Sequence, residues 1–417
     1  MKYRNSIFIA SLALASNAAM ASGFALIEQS ANGQGLSYAG AAANTDNSSV
    51  MWFNAAGISK VDGHQLILTG HYIVPNVEFK GVYKSPLGTS GEGKGNGSKP
   101  AFVPNFYWKG QAGDYDLGLG INVPYGNDIT YDSNWIGRYF AVKTDLKTVN
   151  INPTIARKLT PKFSVGLGLN AQRVDLIMTQ KVNQALFSNN AIRSDGDGKI
   201  TADSWAFGYN IGFLYQASDK TKLGLGYRSA ITHFATGNMK YTVDARLSNR
   251  LKDSRIKSTV TLPASLNLGV THQYDKVEVL LGAIWTKWSD YKELEIKKDD
   301  GSVLTNTRQD FKDSWRVSAG VQYPYSDKLT LRTGVAFDQS PVSNGKHRSP
   351  RTPDADRKWI SAGFGYQVSK ASHIDVGYSY LWSEKVDSNY TTNDVEYLIG
   401  RYTPSVNIFS AQYVWNY

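Results

Sequence analysis

The sequence has no cysteine in its 417 residues. Disulfide frameworks, thiolate nucleophiles and cysteine-ligated metal centres are therefore excluded. Acid is the scarcer charge, with 35 Asp and Glu against 45 Lys and Arg and a formal charge of +10. The basic excess is spread along the chain. It forms no compact basic-aromatic stripe, so no nucleic-acid partner is expected. An anionic ligand, lipopolysaccharide or a solvated surface would each suit it. Beyond the N-terminus no run approaches 18 apolar residues, which excludes a membrane-spanning helix. Histidine is sparse and scattered (His64, His71, His233, His272, His347, His373). No His/Asp cluster has metal-ligand spacing and no Ser/His pair has a nucleophile arrangement. Catalytic residues, bound metals and cofactors are not expected.

What is present begins with a leader. Lys2 and Arg4 precede an apolar run from Ser6 to Ala15, and Ala19-Met20-Ala21 is a small-x-small cleavage pattern. Residues 1–21 read as a secretory signal peptide. Its removal takes away two positive charges and leaves about +8. Residues 22–63 follow, rich in Ala, Gly, Ser and Asn, without alternation and too small to bury a core alone. They read as a plug inside a container formed by residues 64–417.

The container is signalled by period-2 alternation. Trp315, Val317, Ala319, Val321 and Tyr323 oppose Arg316, Ser318, Gly320 and Gln322. Trp205, Phe207, Tyr209, Ile211 and Phe213 oppose Ala206, Gly208, Asn210 and Gly212. Leu262, Ala264, Leu266, Leu268 and Val270 share a face, as do Ile360, Ala362, Phe364, Tyr366 and Val368. A soluble sandwich also alternates. Here the opposite face is mostly small, which leaves room inside a ring. Short turns near 110–114, 159–162, 217–221, 273–276, 324–328 and 368–372 alternate with long polar segments near 80–100, 125–145, 177–203, 237–257, 298–310, 340–356 and 385–403. That pattern predicts an all-β, 14-stranded antiparallel transmembrane β-barrel with both termini on the short-turn, periplasmic side. Trp108, Trp288, Trp382, Trp415 and Tyr417 are expected in the interfacial aromatic girdles.

The runs GLGINVPYG (118–126), WIGRYFAV (135–142), TLPASLNLGVTHQ (261–273), WTKWSDYKEL (285–294), FKDSWR (311–316) and PDADRKWISAGFGY (353–366) carry a resemblance. With further runs they cover nearly the whole mature chain. The sequence resembles the FadL/TodX (OmpP1) family of outer-membrane channels for long-chain fatty acids and other hydrophobic compounds. The resemblance implies an N-terminal hatch in the lumen and residence in the Gram-negative outer membrane. It also implies a monomer among lipid and lipopolysaccharide, whose C-terminal aromatic is read by the barrel insertion machinery.

Site residues follow from that resemblance. The family's Asn-Pro-Ala hatch motif reads Asn54-Ala55-Ala56 here, without the ring that would stiffen the turn. Val123-Pro124-Tyr125-Gly126-Asn127 matches the family's inward-kinked strand and lateral portal. On residue chemistry alone, the strand either bends at Pro124 or ends there. Phe24, Met178 and Ile200 match positions that touch the ligand. The aligned head-group positions, Gln180 and Thr307, are not basic. Lys181 and Arg308, one residue on, are candidates for a carboxylate, although a one-residue step flips a strand side chain. Asp338 and Arg332 should face inward and hold the hatch or an inner ligand site. The loop around Asp195 and Asp197 lacks two of the oxygens an EF-hand needs.

The expected function is passive transport of hydrophobic molecules, long-chain fatty acids first, by capture at extracellular loops and lateral exit through the wall. Aromatic hydrocarbons on the same fold, or a general porin or adhesin without hydrophobic cargo, are the alternatives.

Overall fold

The computed structural model describes residues 23–417; the expected leader and Ser22 lie outside the described residues. Among the described residues, 14 strands close one antiparallel barrel. In chain order they are β1 (Gln65–Ser85), β2 (Ala101–Ala112), β3 (Tyr115–Asn122, resuming as Gly126–Thr130), β4 (Lys143–Lys158), β5 (Phe163–Val182) and β6 (Gly196–Ser218). Then come β7 (Thr221–Arg228, resuming as Ile231–Thr242), β8 (Ser254–Leu262 and Ser265–Tyr274), β9 (Val277–Thr286 and Glu293–Lys298) and β10 (Val303–Arg308 and Ser314–Pro324). β11 (Leu329–Asp338), β12 (Arg357–Ser369), β13 (Ser372–Trp382 and Val386–Tyr390) and β14 (Tyr397–Asn416) complete the ring. β1 pairs with β14 from Gln65–Asn416 to Lys84–Tyr397, so the first and last strands leave no edge to lipid, where an unpaired amide would find no partner.

The alternation sorts the two faces. Phe207, Trp315, Val317, Ile360 and Phe409 point outward, while Ser318, Ser361, Asn210 and Gln412 are buried inside. Three expectations need correction. Trp288 is fully buried rather than in a girdle: β9 stops after Thr286, and a short 3-10 turn (Trp288–Asp290) swings the ring into the lumen. Leu262 is buried while Leu268 faces lipid, because β8 breaks at Pro263-Ala264 and the alternation restarts. The polar segments near 177–203 and 298–310 are about half strand. Polar residues extend β5 and β6 up to Val182–Gly196, and β9 and β10 close in a tight turn around Gly301.

Residues 23–63 fill the lumen as a helical turn (Ala31–Gly35) and two 3-10 turns (Ser48–Trp52 and Ala55–Lys60). The small inward faces of the strands make room for them. A methyl group at Gly212 would strike the Asn54 side-chain oxygen, and one at Gly166 would strike the Ala55 backbone. Asn54 caps the last turn, accepting from the Ala56 amide at 3.0 Å and donating to the carbonyls of Ala42 (2.7 Å) and Phe213 (2.9 Å).

Further polar bonds fasten the plug to the wall. Gln34 donates to Ser379 (2.6 Å) and Ser37 meets Ser361 (2.6 Å). Arg316 donates to the Ser37 carbonyl (3.0 Å), and Arg228 donates to the Trp52 carbonyl (2.9 Å). Arg332 pairs with Asp375 (2.7 Å) and lies 3.8 Å from Asp46 of the plug, so it faces inward as its alternation requires.

Candidate functional site

A cavity of about 680 Å³ lies on the loop side of the plug. Strand alternation sends Met178 of β5, Met239 of β7, Ile256 of β8 and Ile296 of β9 inward, where they pack as one apolar cluster with Leu176 and Ile200 beside it. Met178 and Ile200 therefore line one wall, as the resemblance implies. Phe24 lies at the plug end of the same cavity. Its ring packs against Trp288 (4.9 Å between centroids), Tyr291 (5.6 Å) and Tyr125 (5.9 Å). Aromatic faces and edges meet at steep angles there, the arrangement their quadrupoles favour.

The candidate cations divide. Lys181 lines the cavity, but its ammonium lies 2.6 Å from Asp197 and is already neutralised. Arg308 does not line it. Alternation along β10 turns Thr307 into the cavity and Arg308 out to solvent, where it pairs with Asp310 at 2.9 Å. Asp338 lies deeper, in a second cavity of about 100 Å³ that it shares with Arg316, Pro124 and Tyr125. Arg357 lies 3.5 Å from it. Asp195 accepts from Arg138 (2.7 Å) and Tyr139 (2.6 Å), tying two loops together, and no metal-holding cluster occurs among the described residues.

Arg351 is the residue that sequence reasoning missed. It reaches into the cavity from the loop between β11 and β12. Its guanidinium donates to the Lys143 carbonyl (2.8 Å), Thr144 (2.9 Å), the Thr179 carbonyl (3.1 Å) and Gln180 (3.0 Å). Burial pushes it down to about 10, so it stays charged at neutral pH; the only opposing influences come from Tyr390 and Tyr131. Among the described residues no carboxylate pairs with it. Loop residues have no periodicity, so the only available sequence hint was an arginine held between Pro350 and Pro353.

The third component is the bend in β3. The β2–β3 ladder ends at Phe106–Ile121. β3 does not stop there: it resumes on β4 at Gly126–Lys147, with Val123, Pro124 and Tyr125 bulged opposite Thr148 and Val149. Pro124 brings no amide donor to a ladder, and the segment bends inward onto the plug. There Phe24, Ala25 and Leu26 take the place β2 has left. Ala25 bridges Tyr125, the Leu26 amide donates to the Pro124 carbonyl (2.8 Å), and the Gly126 amide donates to the Phe24 carbonyl (2.9 Å). A window without ladder pairing remains between β2 and β3, bounded above by a bridge between Ser98 and Ile129. Asn127 ties this region to the cavity by donating to the Arg351 carbonyl at 2.6 Å.

A closed lipid-facing barrel, a fastened plug and an apolar cavity beside a bent wall strand define a plugged outer-membrane channel for hydrophobic molecules. The family model described as outer membrane protein transport protein (OMPP1/FadL/TodX) matches residues 12–417, and the chain belongs to that family. It is 30% identical over 422 residues to Outer membrane protein P1 of Haemophilus influenzae, covering 92% of this chain and 91% of that protein. It is 31% identical over 413 residues to a Long-chain fatty acid transport protein of Escherichia coli, covering 92% of each. Among solved structures, a Pseudomonas aeruginosa FadL homologue superposes with a TM-score of 0.87 at 25% identity, over 94% of this chain and 99% of that one. The toluene transporter TodX of Pseudomonas putida shares the fold, with a TM-score of 0.70 at 18% identity over 93% and 98%. The chain is thus a Gram-negative outer-membrane transport protein for hydrophobic compounds, and not an enzyme.

Proposed function

We propose that the protein carries long-chain fatty acids passively from the cell exterior into the outer membrane. The observation that carries this reading is Arg351, a charged guanidinium at the wall of an apolar cavity that pairs with no carboxylate among the described residues. A fatty acid is an apolar chain ending in one carboxylate. It would lay its chain along Met178, Ile200 and Met239, with its tail toward Phe24, and exchange the neutral partners of Arg351 for a charge-assisted bond. The likeness to a long-chain fatty acid transport protein supports the same cargo.

Release follows from the contact between Phe24 and the bend. A ligand that displaces the Phe24 ring loosens the short strand pairing of Phe24–Leu26 with Pro124–Gly126. The path then leads through the deeper cavity at Pro124 to the unpaired window between β2 and β3, and so sideways into the bilayer. The cavity volume lies within the ~300–1,000 Å³ range of small-molecule sites. Binding of oleate and of its methyl ester tests the reading. The acid should bind more tightly, and Arg351→Ala should remove the difference. Equal affinities in the unmodified protein would point instead to a neutral cargo such as an aromatic hydrocarbon, a reading that the neutral Gln180 and Thr307 at the cavity wall favour.

A further inference from the structure

The window at β3 has a counterpart four strands further round the barrel. The ladder between β6 and β7 stops at Asp203–Thr236 and resumes only at Asn210–Arg228. Between those pairs, Ser204–Tyr209 on one strand and Ser229–Ala235 on the other are outside the ladder. Each strand is held firmly on its other side. β6 pairs with β5 without a break in this region, and β7 pairs with β8 from Ile231–Leu262 to Met239–Ser254. The lower rim is pinned by the Ser229 amide donating to the Tyr209 carbonyl (2.9 Å) and the Tyr209 amide donating to the Ser229 hydroxyl (3.0 Å).

Its height matches that of the first window. β3 leaves β2 after the pairs Tyr115 to Ile121, and β7 leaves β6 after Thr221 to Arg228. Seven and eight residues at ~3.3 Å each, tilted by ~45°, put the lower rims about 16 and 19 Å above the periplasmic turn, inside a hydrocarbon band ~25 Å tall. On the lipid side the seam is edged by Phe207, Phe234 and Trp205, with exposures of 77%, 72% and 50%. On the lumen side both cavities reach it: Ser229 and Ile231 line the deeper one, His233 and Ala235 the larger one. Only side chains close it. Ile231 packs against Gly208, and His233 meets Ser204 (2.9 Å) and Gln172 (3.0 Å).

We infer that the β6–β7 seam is a second lateral passage, through which a single-chain hydrophobic molecule exchanges between the bilayer and the larger cavity. Moving Ile231 and His233 aside breaks no ladder pair, because none spans the seam. The cost is side-chain rearrangement and the two hydrogen bonds of His233. The inference rests on transport of hydrophobic cargo but not on exit at β3.

The absence of cysteine allows a clean test. Gly208→Cys with Ile231→Cys places two thiols across the seam, where a methyl group on Gly208 would already touch Ile231. The double variant is combined with Gly126→Trp to obstruct the β3 window and placed in nanodiscs. Transfer of an anthroyloxy-labelled stearic acid from the cavity into the bilayer is then followed by stopped-flow fluorescence. The inference expects transfer to continue while the pair is reduced, to fall to the protein-free background when it is oxidised, and to return with reductant. Ile231→Trp, which fills the seam without a cross-link, should also slow transfer. Equal rates in the oxidised and reduced forms would overturn the inference. The proposed β3 exit fails separately if Gly126→Trp leaves transfer unchanged while the seam is locked.

Discussion

The amide of Gly126 donates to the carbonyl of Phe24 across 2.9 Å, so the bent wall strand and the end of the plug share one hydrogen-bonded ribbon. The Phe24 ring sits at the cavity end of that ribbon, and Pro124 lines the deeper cavity beside it. On the proposed path, cavity occupancy would act on the bend through this one residue. Phe24→Ala should weaken fatty-acid binding and raise the rate of release, because the anchor against Trp288 and Tyr291 is lost. Unchanged binding and release would remove Phe24 from the path.

Arg351 predicts a carboxylate preference with a pH signature. Removing a charged hydrogen-bond partner costs ~1.5–3 kcal/mol, about tenfold to a hundredfold in affinity. Arg351→Ala should lose that much for oleate and nothing for its methyl ester, by calorimetry in detergent. Burial holds Arg351 at about 10, so it stays protonated through the acid and neutral range. The pH dependence must then come from the ligand. Affinity should fall as the pH drops through the fatty acid's own pKa, and this fall should vanish in Arg351→Ala.

Trp288 holds Phe24 in place and is fully buried. Trp288→Ala should destabilise the region by ~3–5 kcal/mol through loss of ring packing. Because the ladder of the barrel is untouched, the barrel should still form. Chymotryptic cleavage near Phe24 and Leu26 should quicken, while strand content by circular dichroism stays the same.

Asn54 performs the capping and tethering of its motif without a neighbouring proline. Asn54→Ala removes an N-cap worth ~1 kcal/mol and takes a donor from the buried Ala42 carbonyl, at ~1–3 kcal/mol, and from the partly buried Phe213 carbonyl. The last turn of the plug should loosen. Single-channel recordings in planar bilayers should show higher or flickering conductance against a nearly closed parent. Steady high conductance in the parent would contradict a fastened plug.

The barrel was legible because lipid imposes a strict rule on strands. Phe207, Trp315 and Ile360 must face out and Asn210, Ser318 and Ser361 in, and turn lengths then fix the count. Breaks in the strands were harder to read. Pro263 reset the alternation at Leu262, and the turn after Thr286 carried Trp288 inward; neither event alters composition. Within the site, Met178 and Ile200 lie on regular strands and were readable, while Arg308 was lost to a one-residue change of face. Arg351 was invisible because a loop places it by tertiary contacts with Thr144 and Gln180, far away in the chain.

The central claim is lateral exit at the β3 bend, and uptake by Gly126→Trp tests it most directly. Cells whose sole fatty-acid channel carries this variant together with the oxidised Gly208→Cys/Ile231→Cys lock, compared with a parent carrying the lock alone, would be supplied with radiolabelled oleate, alongside oleate binding to the purified proteins. The account predicts that binding persists while uptake falls well below that of the parent. Uptake equal to the parent, with the variant folded and present in the outer membrane, would contradict it.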